Sequence, residues 1–198
     1  MNAVQRPEPI SVKDYLAGEV ASETKHEYVG GVVYAMAGAS NSHNLLASNA
    51  LGALHACLRG NECRAYNSDT KLRVRMAAQV RFYYPDVSVI CRPNPPTESF
   101  QDEPAVIVEV MSRATRRIDE GEKRDAYLTI PSLVAYLLVD QDSPTIVVHR
   151  RTEQGFVGEK YSGLGAIIPL SEIGIELSLA EIYEGFEFIP QPDSDNAE

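Results

Sequence analysis

Two short apolar runs, Val87-Ser88-Val89-Ile90 and Ala105-Val106-Ile107-Val108-Glu109-Val110, are bounded by turn residues instead of alternating with polar positions. Runs of that length suit central strands buried on both faces of a sheet. Residues 71–76 follow a different pattern: Leu72, Val74 and Met76 alternate with Lys71, Arg73 and Arg75, which predicts a half-buried strand. A first long helix is expected where Leu46, Ala50, Ala53, Leu54, Cys57 and Leu58 recur at helical spacing, between the cap residues 38–42 and Gly60. A second runs over residues 117–129 and is stopped by Pro131. The apolar stretch 133–139 follows at once, so strand, helix and strand predict a right-handed crossover joining a parallel pair.

Around this centre the pattern predicts smaller pieces. Ser11 and Asp14 form a capping box for a short helix reaching Ala17. Lys25-His26-Glu27-Tyr28-Val29, then Gly30-Gly31, then Val32-Val33-Tyr34-Ala35-Met36 predict a hairpin, read as an adornment to the core sheet. A strand is expected near residues 64–67, and antiparallel additions at 145–150, 156–161 and 166–169. Ser178 with Glu181 marks a last helix through Phe186. The expected fold class is α/β: a central mixed sheet flanked by helices, with an N-terminal hairpin and C-terminal antiparallel additions. Residues 1–10 read as an arm, 11–189 as one domain and 190–198 as a disordered tail; 198 residues suffice for one core and not for two.

Composition narrows the setting. No apolar run is long enough to cross a bilayer, and the first residues lack the apolar stretch of a signal peptide, so a cytoplasmic protein is expected. Cys57, Cys63 and Cys91 are odd in number and form no C-x-x-C pair, which predicts reduced thiols. The net charge of −10 argues against non-specific affinity for nucleic acid, unless two local basic clusters supply it. One comprises Lys71, Arg73, Arg75 and Arg81; the other comprises Arg113, Arg116, Arg117, Lys123 and Arg124. Either can equally be a solvated face.

The candidate chemistry centres on two carboxylates. Asp86 directly precedes one apolar run and Glu109 lies near the end of the other. Neighbouring strands are about 4.8 Å apart, so carboxylates at matched heights can share one hard cation. A lone glutamate in so apolar a run costs several kcal/mol to bury unless a cation or proton compensates it. Asp119, Lys123 and Tyr127 recur every four residues. They are either an i,i+4 surface ion pair with a core tyrosine, or a lysine carried towards the carboxylates.

Several segments together resemble the Uma2 family of restriction-endonuclease-like proteins, formerly a domain of unknown function. They are Lys25-His26-Glu27-Tyr28-Val29-Gly30-Gly31-Val32, Ser42-His43, Tyr84-Pro85-Asp86-Val87-Ser88-Val89, Val108-Glu109-Val110-Met111-Ser112, Thr115-Arg116, Asp119-x-x-x-Lys123-x-x-x-Tyr127 and Pro131-Ser132-Leu133-Val134-Ala135-Tyr136-Leu137-Leu138-Val139-Asp140. The resemblance implies the PD-(D/E)XK nuclease fold and a metal-dependent endonuclease acting on DNA. Mg²⁺ or Mn²⁺ is then held by Asp86, Glu109 and the backbone carbonyl of Val110. The lysine of that signature, two residues after the glutamate, is replaced here by Met111, and Lys123 inherits its role by resemblance. Glu27 and His43 match further family positions, and a homodimer is implied by analogy. Two other readings stay open: a non-catalytic metal-binding or DNA-interaction module of the same fold, and a phosphoesterase acting on small nucleotides.

Overall fold

A computed structural model describes residues 8–112 and 116–188. The tail from residue 190 and most of the N-terminal arm lie outside the described residues.

Six strands make the central sheet. In chain order they are β3 (Arg64–Asn67), β6 (Val87–Ile90), β8 (Pro104–Met111), β9 (Ala135–Asp140), β10 (Thr145–Thr152) and β11 (Gly155–Ser162), and in space they run β11-β10-β9-β8-β6-β3. β8 and β9 are parallel, as the strand-helix-strand pattern predicts, and the remaining pairs are antiparallel. β8 is buried along its whole length because both faces are covered. Val106, Val108 and Val110 face α2 (Asn41–Cys57), whose Leu46, Ala50 and Leu54 recur every four residues and are fully buried. The pair β12 (Ile167–Leu170) and β13 (Ile175–Ser178), with the one-turn helix α5 (Leu179–Ile182), closes the same side.

The other face of β8 carries Ile107, Glu109 and Met111 and meets a second sheet. That sheet, ordered β2-β1-β5-β4-β7, comprises β1 (His26–Val29), β2 (Val32–Ala35), β4 (Lys71–Arg75), β5 (Val80–Tyr83) and β7 (Phe100–Gln101). Leu72, Val74 and Tyr83 from it share one apolar cluster with Ile107, Met111, Tyr127 and Tyr136. Its outer face packs Tyr28, Phe82 and Phe100 under Tyr15 of α1 (Val12–Ala21). The hairpin β1–β2 turns through Gly30 and Gly31, both with positive φ, as two glycines between strands predict. It does not adorn the core sheet as expected: β1 pairs with β5 in the second sheet. This matters because the hairpin then carries Glu27 towards the face of β8 that holds Glu109, where it meets Lys123.

Three further expectations change. The last helix ends at Ile182 instead of Phe186, and Ser178 makes no side-chain cap there. β5, β7 and β13 form where no strand was expected. Cys63 and Cys91 are disulfide-bonded instead of reduced, with only Cys57 free. The cause is register: they sit one step beyond the facing pair Arg64 and Ile90 of β3 and β6.

Candidate functional site

Glu109 and Asp86 come together through strand register. β6 and β8 pair Val87 with Val108, and one residue further along that antiparallel register puts Asp86 opposite Glu109. Asp86 is fixed at both oxygens: the Val110 backbone N–H donates to Oδ2 at 2.7 Å, and His43 Nε2 lies 2.9 Å from Oδ1. His43 reaches it from the first turn of α2, where the Ser40 hydroxyl caps the helix by accepting from the His43 N–H. Burial works against the imidazolium, but the hydrogen bond and charge of Asp86, with Asp119 adding, outweigh it and raise the His43 pKa.

Glu109 is 4% exposed and faces the space between the two sheets. Its Oε1 accepts from Lys123 Nζ at 3.3 Å and from the Tyr127 hydroxyl at 3.1 Å. The Lys123 ammonium also lies 3.0 Å from Glu27 Oε1 of β1 and 3.9 Å from Asp119 Oδ1. Glu27 meets it as an ion pair without a directed hydrogen bond. Four carboxylates therefore gather around one ammonium and one imidazole. Burial, with Asp86, Asp119 and Glu27 adding, drives the Glu109 carboxyl well above its usual range against the pull of Lys123. Burial disfavours the Lys123 ammonium, yet Glu109, Glu27 and Asp119 outweigh it and hold it charged. Both shifts express one excess of acid.

The element that delivers Lys123 is irregular. α3 (Arg116–Ile118) and α4 (Arg124–Tyr127) are joined by a π-helical turn over Asp119–Lys123. Single π turns of this kind concentrate at functional sites. Here the turn keeps Asp119, Lys123 and Tyr127 all buried towards β8, and the Tyr136 hydroxyl of β9 donates to the Asp119 carbonyl at 3.0 Å. The surface ion-pair reading of Asp119 and Lys123 is thus overturned, since they are 2% and 9% exposed.

The structure brings together every expected side chain: Asp86, Glu109, Lys123, Glu27 and His43. It adds Tyr127, read from the sequence as core, and the carboxylate of Asp119. The basic clusters fare worse. Arg73 pairs with Asp102, Arg81 with Glu122, and Lys71 is buried. In the second cluster Arg116 pairs with Asp140, and Arg113 lies outside the described residues.

A mixed sheet with an acidic pair on adjacent strands, followed by a helical segment and a parallel strand, defines a restriction-endonuclease-like protein. The chain belongs to the Uma2 family, described as a putative restriction endonuclease, whose model matches residues 12–180. It is 32% identical over 181 residues to the uncharacterized protein slr1290 of Synechocystis sp., covering 90% of this chain and 94% of that one. A second Synechocystis protein, sll1609, also uncharacterized, is 32% identical over 144 residues, 71% of this chain and 80% of its own. Among solved structures, a putative nuclease belonging to DUF820 from Anabaena variabilis superposes with a TM-score of 0.64 at 18% identity, covering 82% of this chain and 91% of that one. That likeness shows the fold. No described helix is long and apolar enough to cross a membrane.

Proposed function

We propose that the protein is a divalent-metal-dependent endonuclease that hydrolyses phosphodiester bonds in DNA. The observation that carries this reading is the register of β6 and β8, which sets Asp86 against Glu109 with a buried lysine on the glutamate. Among the described residues no three His, Cys, Asp or Glu side chains converge as a complete metal cage. The donor set nevertheless fits Mg²⁺ or Mn²⁺. Mg²⁺ is commonly held by one or two carboxylates, with water and substrate phosphate completing its octahedron. Asp86, Glu109 and the Val110 carbonyl are hard oxygen donors of that kind, and the excess of carboxylates over cations calls for added positive charge. When bound, the ion supplies Lewis acidity towards the phosphate and acidifies its water.

The chain's own groups do the rest. Tyr127 and Lys123 hold the Glu109 carboxylate in place, and His43 with the Val110 N–H holds that of Asp86. Lys123 orients the attacking water and stabilises charge developing on the phosphoryl oxygens, its ammonium kept charged by Glu109, Glu27 and Asp119. Water adds to phosphorus and gives up a proton to solvent, while the bond from phosphorus to the ester oxygen opposite it breaks and that oxygen takes a proton from solvent. His43 acts in this reading through Asp86, whose Oδ1 it holds.

The test is cleavage of DNA, RNA and nucleotides by purified protein with Mg²⁺ or Mn²⁺. DNA cleavage lost in both Asp86→Ala and Glu109→Ala is expected. Cleavage unchanged in both variants overturns the assignment, and preference for nucleotides redirects it to a small-molecule phosphoesterase.

A further inference from the structure

A second buried lysine lies outside the acidic site. Lys71 opens β4 and is 5% exposed, although the alternation of its strand predicts a solvent-facing side chain. Its ammonium sits 5.3 Å from the centre of the Tyr15 ring and 5.5 Å from that of Tyr84. Among the described residues no carboxylate or other acceptor pairs with it. The acid that acts on it, Glu19, is already engaged: its oxygens receive the Tyr84 hydroxyl at 2.7 Å and the His26 backbone N–H at 3.3 Å, and lie 2.7 Å from His26 Nδ1. Lys25 approaches the same Tyr84 ring at 5.7 Å while donating to the Ser68 carbonyl and pairing with Asp69. Two ammonium groups thus share one tyrosine ring, and one of them, Lys71, has only the already engaged Glu19 as a counter-charge and no direct ion partner among the described residues.

Topology puts this pair at the end of the second sheet where the chain crosses to Asp86. The chain passes between the two sheets twice at this end. β3 leads to β4 through Ser68, Asp69 and Thr70; β5 leads to β6 through Tyr84, Pro85 and Asp86. The crossings run side by side, because Asn67 faces Val87 in the central sheet and Leu72 faces Tyr83 in the second. One step beyond the latter pair sets Lys71 opposite Tyr84. Tyr84 and Asp86, two residues apart, have Cα atoms within about 7.6 Å of each other. A cation without a direct ion partner, one short crossing from the proposed cleavage centre, matches what a polynucleotide supplies on either side of the cleaved bond. In a chain of net charge −10, a few placed cations must carry the backbone contacts.

We propose that Lys71, with Lys25 across the Tyr84 ring, binds a backbone phosphate of the DNA strand adjacent to the bond cleaved at Asp86 and Glu109. This inference rests on the nuclease reading and adds a substrate-binding position to it. Burial that disfavours the free Lys71 ammonium agrees with a site completed by an anion.

Anisotropy of a fluorescein-labelled duplex, in EDTA to prevent cleavage and across a salt series, tests it. For Lys71→Met affinity is expected to fall about tenfold at low salt. The slope of log K against log salt should lose about 0.9, the loss of one phosphate contact. Lys71→Arg should keep most of the slope. With Mg²⁺ present, KM for DNA should rise in Lys71→Met while Mn²⁺ affinity by calorimetry stays at the wild-type value. Lys25→Met, at a half-exposed position, should lower the slope without affecting folding, and it decides the matter with Lys71→Arg if Lys71→Met fails to fold. Wild-type DNA affinity and slope in these variants, in a protein that cleaves DNA, overturn the subsite and leave the nuclease reading standing. Wild-type protein that neither binds nor cleaves DNA overturns both. Inorganic phosphate held by wild type and lost in Lys71→Met, with the DNA slope unchanged, assigns the site to free phosphate and overturns the backbone contact.

Discussion

Lys123 and Lys71 are both buried, and their surroundings are opposite. Lys123 stands among Glu109, Glu27 and Asp119 and is held charged by them; Lys71 stands between tyrosine rings, and burial pushes its ammonium below the ordinary lysine value. A buried ammonium surrounded by carboxylates belongs to the internal charge balance, and removing it leaves acids stranded. A buried ammonium whose one nearby acid, Glu19, is tied to other donors has no such role inside the fold, and an added anion can complete its charge balance. The contrast separates a lysine that organises the proposed metal centre from one that meets substrate.

The largest effects are expected on the acidic side. Asp86→Ala or Glu109→Ala should lower cleavage by about 10³-fold or more, since each removes an oxygen donor on which the developing charge depends. Lys123→Ala should abolish turnover while leaving metal binding largely intact. In denaturant titrations without metal it should cost about 3–5 kcal/mol, the range for breaking a buried ion pair. Added Mn²⁺ should recover part of that loss by replacing the missing positive charge. If calorimetry shows metal affinity lost in this variant, Lys123 is a structural partner of the carboxylates and not a catalytic group.

How much of this was legible in the sequence depends on which contacts carry it. The pairing of Asp86 with Glu109 was legible, because an acid inside Ala-Val-Ile-Val-Glu-Val has to be compensated and two such runs predict adjacent strands. The parallel pair β8 and β9 was legible from Pro131 ending a helix before an apolar strand. The place of Glu27 was not: it depends on the hairpin joining a second sheet through β5, whose four residues, Val80-Arg81-Phe82-Tyr83, do not alternate cleanly. Lys71 was misplaced for a related reason. Alternation correctly put it opposite Leu72, but nothing local shows that Tyr15 of α1 covers that face. Cys63 and Cys91 likewise meet only because the register of β3 and β6 brings residues 28 apart into contact.

A smaller effect probes the boundary between core and site. Tyr127 is fully buried, and its hydroxyl donates to Glu109 Oε1. Tyr127→Phe keeps the ring packing against Tyr83 and Tyr136 and removes only that donor. It should cost about 1.5–3 kcal/mol, the range for a hydrogen bond to a charged group. Mn²⁺ affinity should be kept, because the lost donor frees a lone pair on Glu109. Wild-type stability in this variant reduces Tyr127 to a packing residue.

The smallest effect sharpens the comparison most directly, through the pH dependence of Lys71→Met. The Lys71 pKa in the folded protein is lowered from 10.5, chiefly by burial, with Glu19 opposing. Between the folded value and the ordinary one the unfolded chain binds more protons, so raising pH through that interval favours folding. Below it the wild type carries the full cost of a buried ammonium, which methionine does not. At neutral pH Lys71→Met should therefore be more stable by about 1 kcal/mol, the low end of the gain seen when apolar side chains replace buried ions. That advantage should shrink as pH rises towards 10.5. Tyrosine ionisation at alkaline pH is common to both proteins and cancels in the difference. Chemical denaturation of the pair at neutral and alkaline pH measures it. Destabilisation comparable to that of Lys123→Ala means that Glu19 is a true ion partner of Lys71, and the two lysines are then alike.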